Sequence, residues 1–220
     1  SKINLENEME VLRSHRLLER VVTDLNLTTS YYGIGNIIIA ELWGSKPFTI
    51  IWLGAKDSAQ EIGFEFSIEL QDKGYKMISK DTVTEPLFTY GQVNSVGGQR
   101  FILMLDKGAD LDSKELKFKV VRRPLASVVA GLSGSLQLAS VAKGSDVLSL
   151  SISGENRYKS EAILNAIVDK FNEDGINDRQ LVSQRTIDFV NERFVYLSFE
   201  LDSIEKQKES YIQQNKLSYL

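Results

Sequence analysis

Apolar positions open the chain at helical spacing. In "NLENEMEVLRSHRLLERVVTDLNL", Leu5, Met9, Leu12, Leu17, Val21 and Leu25 mostly recur every three or four residues, with charges between them. This predicts one amphipathic helix with a buried face, with Asn4 as N-cap, Asn7 at the third helical position and Asn26 as stop. From Tyr31 to Val121 the period changes. "NIIIAELW", "KPFTIIWL", "GFEFSIEL", "YKMISK", "RFILML" and "LKFKVV" are short β-branched and aromatic runs, separated by turn signals at 71–74, 96–98 and 106–110. The clearest hairpin is "FEFSIEL–QDKG–YKMIS". There Phe64, Phe66, Ile68 and Leu70 alternate with polar residues, so one face is buried and the other wet.

The pattern returns to helix at Pro124, a residue suited to a first turn, with Leu125, Val128, Val129 and Leu132 on one face and Gly131 and Gly134 ending it. "SLQLASV" and "VLSLSIS" follow as two strands around the turn "AKGSD". The uncharged run Pro124–Ala142 is close to the length of a membrane span, but its serines, glutamine and glycines favour a buried soluble segment.

The last helix is expected to begin after Asn156 as N-cap and to continue through Ala162, Ile163, Ala166, Ile167 and Phe171, with Gly175 as its weak point. Beyond Gly175 the period tightens. Ile187, Val190, Phe194, Leu197, Leu201 and Ile204 are spaced 3, 4, 3, 4 and 3 residues apart, a heptad seam that decays through Lys208, Tyr211 and Asn215. These six are the candidate helix-packing residues. The 3.5-residue period favours packing on another helix, and docking on the parent domain is the alternative. A helix from Asn156 to Leu220 would span about 95 Å and would project. The expected fold class is α+β: a mixed sheet with packed helices and a β-rich insertion over about 31–121, plus the long projecting C-terminal helix. The expected domains are a base over 1–155 and a stalk over 156–220.

Composition narrows the functions. The chain has 220 residues, 42% hydrophobic and 25% charged, as in ordinary soluble domains. A net charge of −4 argues against a nucleic-acid surface and disfavours an anionic membrane surface. With no cysteine, disulfides and thiolate chemistry are excluded. The start "SKINLENEME" has no signal pattern and reads as the edge of a segment excised from a longer protein.

Nor does a catalytic site assemble from the spacing. The one histidine, His15, lies between arginines on the first helix, where a surface role outweighs a triad. "NEDGIND" and "DKGADLD" lack calcium-loop spacing, no phosphate-binding loop is present, and no pair among the 30 acidic residues is favoured for glycoside chemistry. No cofactor and no metal is expected, and the chain itself is expected not to be an enzyme.

Two stretches carry a resemblance. "NEMEVLRSHRLLERVVTDLNL" resembles the helix after the first membrane span of bacterial polysaccharide co-polymerases, the chain-length determinants of the Wzz/Wzc type, where an E-x-E-x-L-x-S-R motif precedes an apolar helix ending in L-x-L. "KGSDVLSLSISGENRYKSEAILNAIVDKFNEDGINDR" is similar to that family's strand, A-x-I-x-N-A-I helix start and long periplasmic helix. Tyr31–Tyr32 with "ELWGSKPFTI" resembles the forms fused to a cytoplasmic tyrosine autokinase. The chain departs from the family at "GENRYK", where Asp-Pro is common, and in the length of its β-rich region. No Walker motif or second-span proline motif is present.

The resemblance implies a periplasmic, membrane-proximal domain of an inner-membrane protein, anchored by segments outside this chain. It implies control of the length and export of lipopolysaccharide, capsule or exopolysaccharide by homo-oligomeric scaffolding. The implied partners are the polymerase and export machinery and the nascent polysaccharide. Two other classes fit a β-rich body with a helical appendage. One is a periplasmic adaptor of an efflux or secretion system, to be marked by lipoyl-like half-motifs. The other is a carbohydrate-active enzyme domain, to be marked by two buried carboxylates in a cleft.

Overall fold

The structure is a computed structural model. It describes residues 5–35, 39–44, 46–54, 63–79, 82–106, 108–109, 117–142 and 145–214. Two short helices come first, α1 (Leu5–Arg13) and α2 (His15–Asp24). Nine strands follow: β1 (Thr29–Ile34), β2 (Ile39–Leu42), β3 (Phe48–Leu53), β4 (Phe64–Gln71), β5 (Gly74–Ser79), β6 (Thr82–Phe88), β7 (Val93–Val96), β8 (Gln99–Leu105) and β9 (Lys117–Arg122). Helix α3 (Leu125–Ser135), strands β10 (Leu136–Ser140) and β11 (Leu148–Ile152) and helix α4 (Arg157–Gln214) complete the chain. The class is α+β, as expected. The sheet expected to be mixed is antiparallel in every pairing among the described residues.

The first helix is two helices. Ser14 takes an extended backbone (φ −60°, ψ 140°), and its Oγ accepts a hydrogen bond from the Leu17 amide at 3.4 Å. A serine in this position satisfies one of the free amides of a new helix start, so the chain breaks there and restarts. The expected cap Asn4 lies outside the described residues. Asn26 does end α2, in the left-handed region at φ 52°, a conformation that asparagine tolerates better than most residues.

Helix α3 runs through Gly131 and Gly134 rather than stopping at them, and ends at Leu136, whose amide bonds the Leu132 carbonyl. Each glycine costs about 1 kcal/mol in a helix interior. Burial of Val129 and Leu132 offsets that cost, at about 1.5–3 kcal/mol per side chain. Pro124–Ala142 is thus a helix and a strand, and among the described residues no helix is long and apolar enough to cross a membrane.

The chain divides into two compact units, Ser1–Phe171 and Asn172–Leu220. The first holds two cores. One gathers Leu17, Leu18, Val21 and Val22 of α2, Val129 and Leu132 of α3, Leu136 of β10, and Ile163 and Ile167 from the first turns of α4. The other lies between a six-stranded sheet, ordered β2-β1-β9-β4-β5-β6, and a three-stranded sheet, ordered β3-β8-β7. Phe48, Phe101 and Leu103 meet Phe66, Ile68, Leu70, Phe118 and Val120 there. The expected alternation of β4 holds: Phe66, Ile68 and Leu70 are buried, and the two-residue turn Asp72–Lys73 returns the chain along β5. The second tight turn, Gly97–Gly98, has both residues at positive φ (57° and 79°), the geometry that a two-residue hairpin loop favours.

Tyr75 ties the two sheets together. Its fully buried ring stacks on Phe88 at 5.7 Å, and its hydroxyl accepts a hydrogen bond from the Asn94 amide of the opposing sheet at 2.8 Å. Burial pushes the phenol from 10.0 up to about 12; the Asn94 hydrogen bond works the other way, and Tyr90 adds to the rise. The folded chain therefore keeps this proton where the unfolded chain loses it. Stability from Tyr75 is complete below pH 10 and is lost as pH rises through about 12. The urea midpoint is expected to fall across that window and to fall less steeply in Tyr75→Phe. Equal slopes for the two proteins would show that the phenol is not the group responsible.

Candidate functional site

A cleft of about 790 Å³ opens within the first unit. Its wall is built from distant segments that the fold brings together. The Asn26 turn supplies Thr28, Thr29, Ser30 and Tyr31 as the chain enters β1. Strand β2 and the residues after it add Glu41, Trp43 and Lys46, and β3 adds Thr49 and Trp52. Arg122 comes from the end of β9 and Lys159 from the first turn of α4. The antiparallel register places Thr29 opposite Arg122, which sets that guanidinium at the cleft.

Each aromatic ring of the wall has a cation near it. Lys46 Nζ lies 4.8 Å from the Tyr31 centroid, the Arg122 guanidinium 4.7 Å from Trp52, and Lys159 Nζ 5.9 Å from Trp43. All three distances are within cation–π reach. Lys159 is also ion-paired to Glu41, with only 21% and 11% of the two side chains exposed. Asn156 holds both elements: its Oδ1 caps α4 by accepting from the Lys159 amide at 3.1 Å, as the sequence implied, and its Nδ2 donates to the Glu41 carbonyl at 3.3 Å. Burial pushes the Tyr31 phenol up to about 12 against the opposing pull of Arg122, so it stays a neutral donor at physiological pH. The Trp52 indole nitrogen is buried and has no hydrogen-bond partner among the described residues.

His15 is elsewhere, at the start of α2, with its Nδ1 3.5 Å from Glu19 and 70% of its side chain exposed. "NEDGIND" is part of α4, and much of "DKGADLD" lies outside the described residues. Among the described residues, no three His, Cys, Asp or Glu side chains gather as a metal site.

The six seam residues lie on the Asn172–Leu220 unit, in one continuous helix. Ile187, Val190, Phe194, Leu197, Leu201 and Ile204 are all between 48% and 70% exposed. None is covered by the described chain. Asn215, the last position of the decaying seam, lies outside the described residues. A second apolar group was not read from the sequence: Phe189, Tyr196 and Phe199, exposed at 67%, 57% and 69%. At 100° per residue they fall on the side of the helix away from the seam. Their signal was present as the seven-residue step Val182–Phe189–Tyr196. Arg193 stacks over Tyr196 at 5.3 Å.

No protein-family model matches the chain. The chain is similar to a tyrosine-protein kinase ptk of Acinetobacter johnsonii, with 22% identity over 223 aligned positions. The match covers 94% of this chain and 30% of the relative, so the chain spans less than a third of the relative's length.

Two outcomes follow from the geometry. Lys159→Ala leaves the largely buried Glu41 carboxylate without its cation and is expected to cost about 2–3 kcal/mol by urea denaturation. Lys170→Ala, which removes one ion-pair contact of the half-exposed Asp24, is expected to cost under about 1 kcal/mol. Equal costs would place the Glu41 pair in the solvent-screened class. Separately, Phe194→Asp with Leu201→Asp is expected to leave the melting of the first unit within about 0.5 kcal/mol, because both side chains are exposed. A large drop would make them core residues.

Proposed function

We propose that this chain is the periplasmic domain of an inner-membrane polysaccharide co-polymerase of the Wzc type, acting by oligomeric scaffolding on the length and export of a surface polysaccharide. The observation that carries the scaffolding role is the distal part of α4. Its apolar residues recur at heptad spacing, yet none is buried in the described chain. A helix with that pattern is stable in water when another surface covers it. A homo-oligomer of the intact protein, next to the polymerase and export machinery, supplies such surfaces without any catalytic group in this domain.

The similarity to a tyrosine-protein kinase supports the kinase-linked form, because it covers nearly all of this chain and leaves most of the relative outside it. In this reading the membrane anchors and the autokinase belong to segments beyond the sequence in hand. The chain itself binds no cofactor and touches the nascent polysaccharide rather than cutting or joining it.

The test replaces the chromosomal gene with the Phe194→Asp, Leu201→Asp form and reads polymer length by gel electrophoresis. The modal length is expected to shorten or disperse, and cross-linked oligomers in the membrane fraction to diminish, at normal protein level. An unchanged polymer with unchanged oligomers would sink the proposal.

A further inference from the structure

Strand β3 is a free edge of the two packed sheets. It pairs only with β8 in its three-stranded sheet, so its other side has no strand neighbour among the described residues. Antiparallel partners alternate between pairs that exchange backbone hydrogen bonds and pairs that do not. The Asp106 amide donates to the Pro47 carbonyl at 2.9 Å, and the Leu103 carbonyl accepts from the Gly91 amide, away from β3. Ile50 lies opposite Leu103, so both bonds fix the same phase. Thr49, Ile51 and Leu53 bond to β8, and the amides and carbonyls of Ile50 and Trp52 point to the open side. Among the described residues no backbone hydrogen bond reaches those outward groups. The other three edges are guarded. In β2 the Glu41 carbonyl accepts from the Asn156 side chain, β6 contains Glu85 and Pro86, and β7 has only four residues. β3, "FTIIWL", has no charge, no proline and no break in its register. An edge of that kind is a template for another strand.

The cleft runs along this edge. Thr49, Ile50, Ile51 and Trp52 line it in succession. Successive side chains point to opposite faces of a strand, so a wall of consecutive residues is the strand's edge and not one of its faces. From this placement we infer that the cleft takes an extended peptide, which adds to β3 as a further strand through the backbone groups of Ile50 and Trp52. The recess decides for a peptide over a second copy of this chain. The cleft is also walled by Glu41, Leu42, Trp43 and Gly44, and two copies would each have to bring β3 out from behind that wall. Lys46 sets the direction. It lies 4.8 Å from the Tyr31 centroid, and Tyr31 meets Phe48 edge-on at 5.7 Å, which puts Lys46 at the Phe48 end of β3. Lys159 is paired with Glu41 and Arg122 is held over Trp52, so Lys46 is the lining cation left to an incoming carboxylate. The added strand therefore runs antiparallel to β3 and brings its terminal carboxylate or an acidic side chain to Lys46. A parallel strand would bring its ammonium there instead. The inference concerns the first unit and stands independently of the scaffolding role of α4.

The experiment follows amide hydrogen exchange by NMR in the 220-residue chain, alone and with an acetylated hexapeptide of alternating threonine and valine that ends in a free carboxylate. In the chain alone the Ile50 and Trp52 amides are expected to exchange at least about tenfold faster than those of Thr49 and Ile51. The peptide is expected to slow Ile50 and Trp52 selectively. The chain's two tryptophans, Trp43 and Trp52, both line the cleft, so intrinsic fluorescence gives the affinity. The same peptide with every amide N-methylated is expected to bind at least about tenfold more weakly, and so is the peptide ending in an amide. Lys46→Gln is expected to bring the carboxylate form down to the level of the amide form. The absence of a saturable change overturns the proposal, as does an N-methylated peptide that binds equally well. Ile50 and Trp52 amides that are already slow in the dilute chain overturn it too, because the edge is then covered from within. Slowing that grows with chain concentration, without peptide, makes a second copy the occupant and overturns it as well. A folded Lys46→Gln that still prefers the carboxylate overturns the assigned direction. If Lys46→Gln does not fold, the comparison of carboxylate with amide decides the direction alone. The Phe194→Asp, Leu201→Asp chain is expected to bind the peptide normally, which separates failure of this site from failure of the scaffold.

Discussion

Strand β9 is the element on which the first unit depends. It bonds to β1 on one side and to β4 on the other, so it joins the β1–β2 hairpin to the β4–β5–β6 meander in one sheet. Val120 lies opposite both Tyr31 and Phe66, and with Phe118 it faces the core. Side chains alternate across a strand, so a slip of one residue in either ladder would turn Phe118 and Val120 to solvent and bring Lys119 inward. The same register delivers Arg122 to the ring of Trp52 in the opposing sheet. Burial in the sandwich and charge at the cleft are therefore fixed together.

Where local signals were strong, the sequence was readable. The alternation of Phe64 to Leu70, the turn before Gly74, the glycine pair at 97–98 and the cap at Asn156 each combine side-chain chemistry with a backbone need, and each appears in the fold. Short polar strands were not readable. β7 is "VNSV", with no alternation to find, and β6 contains a proline. Ser14 hid inside a helical period because the apolar spacing on either side of it continues almost without a break.

The cleft was illegible for a different reason. Tyr31, Lys46 and Arg122 are far apart in the chain, and their meeting follows from strand pairing, not from spacing. Tyr31, Glu41, Trp43 and Lys46 fall within the strand-like runs and within the stretch that carries a family resemblance, and neither reading attaches a role to them. Cation–aromatic pairs leave no periodic trace, since either partner can come from any segment.

The helix α4 shows how far a pattern reaches. Ile163 and Ile167 are buried, at 6% and 0% exposure, whereas Ile187 and Ile204 are about half exposed in the same helix. The residue type and the helical period are shared; what differs is the presence of a neighbouring element. A period of 3.5 residues says that a face is meant to be covered, and leaves open what covers it. The second group, Phe189, Tyr196 and Phe199, sharpens the requirement. One partner helix laid along the seam would leave these aromatic side chains in water, at a cost of about 25 cal/mol for each Å² of apolar surface left uncovered. An arrangement that buries both sides needs more than one neighbour around α4, a condition that a closed homo-oligomer meets and a lone helical hairpin does not.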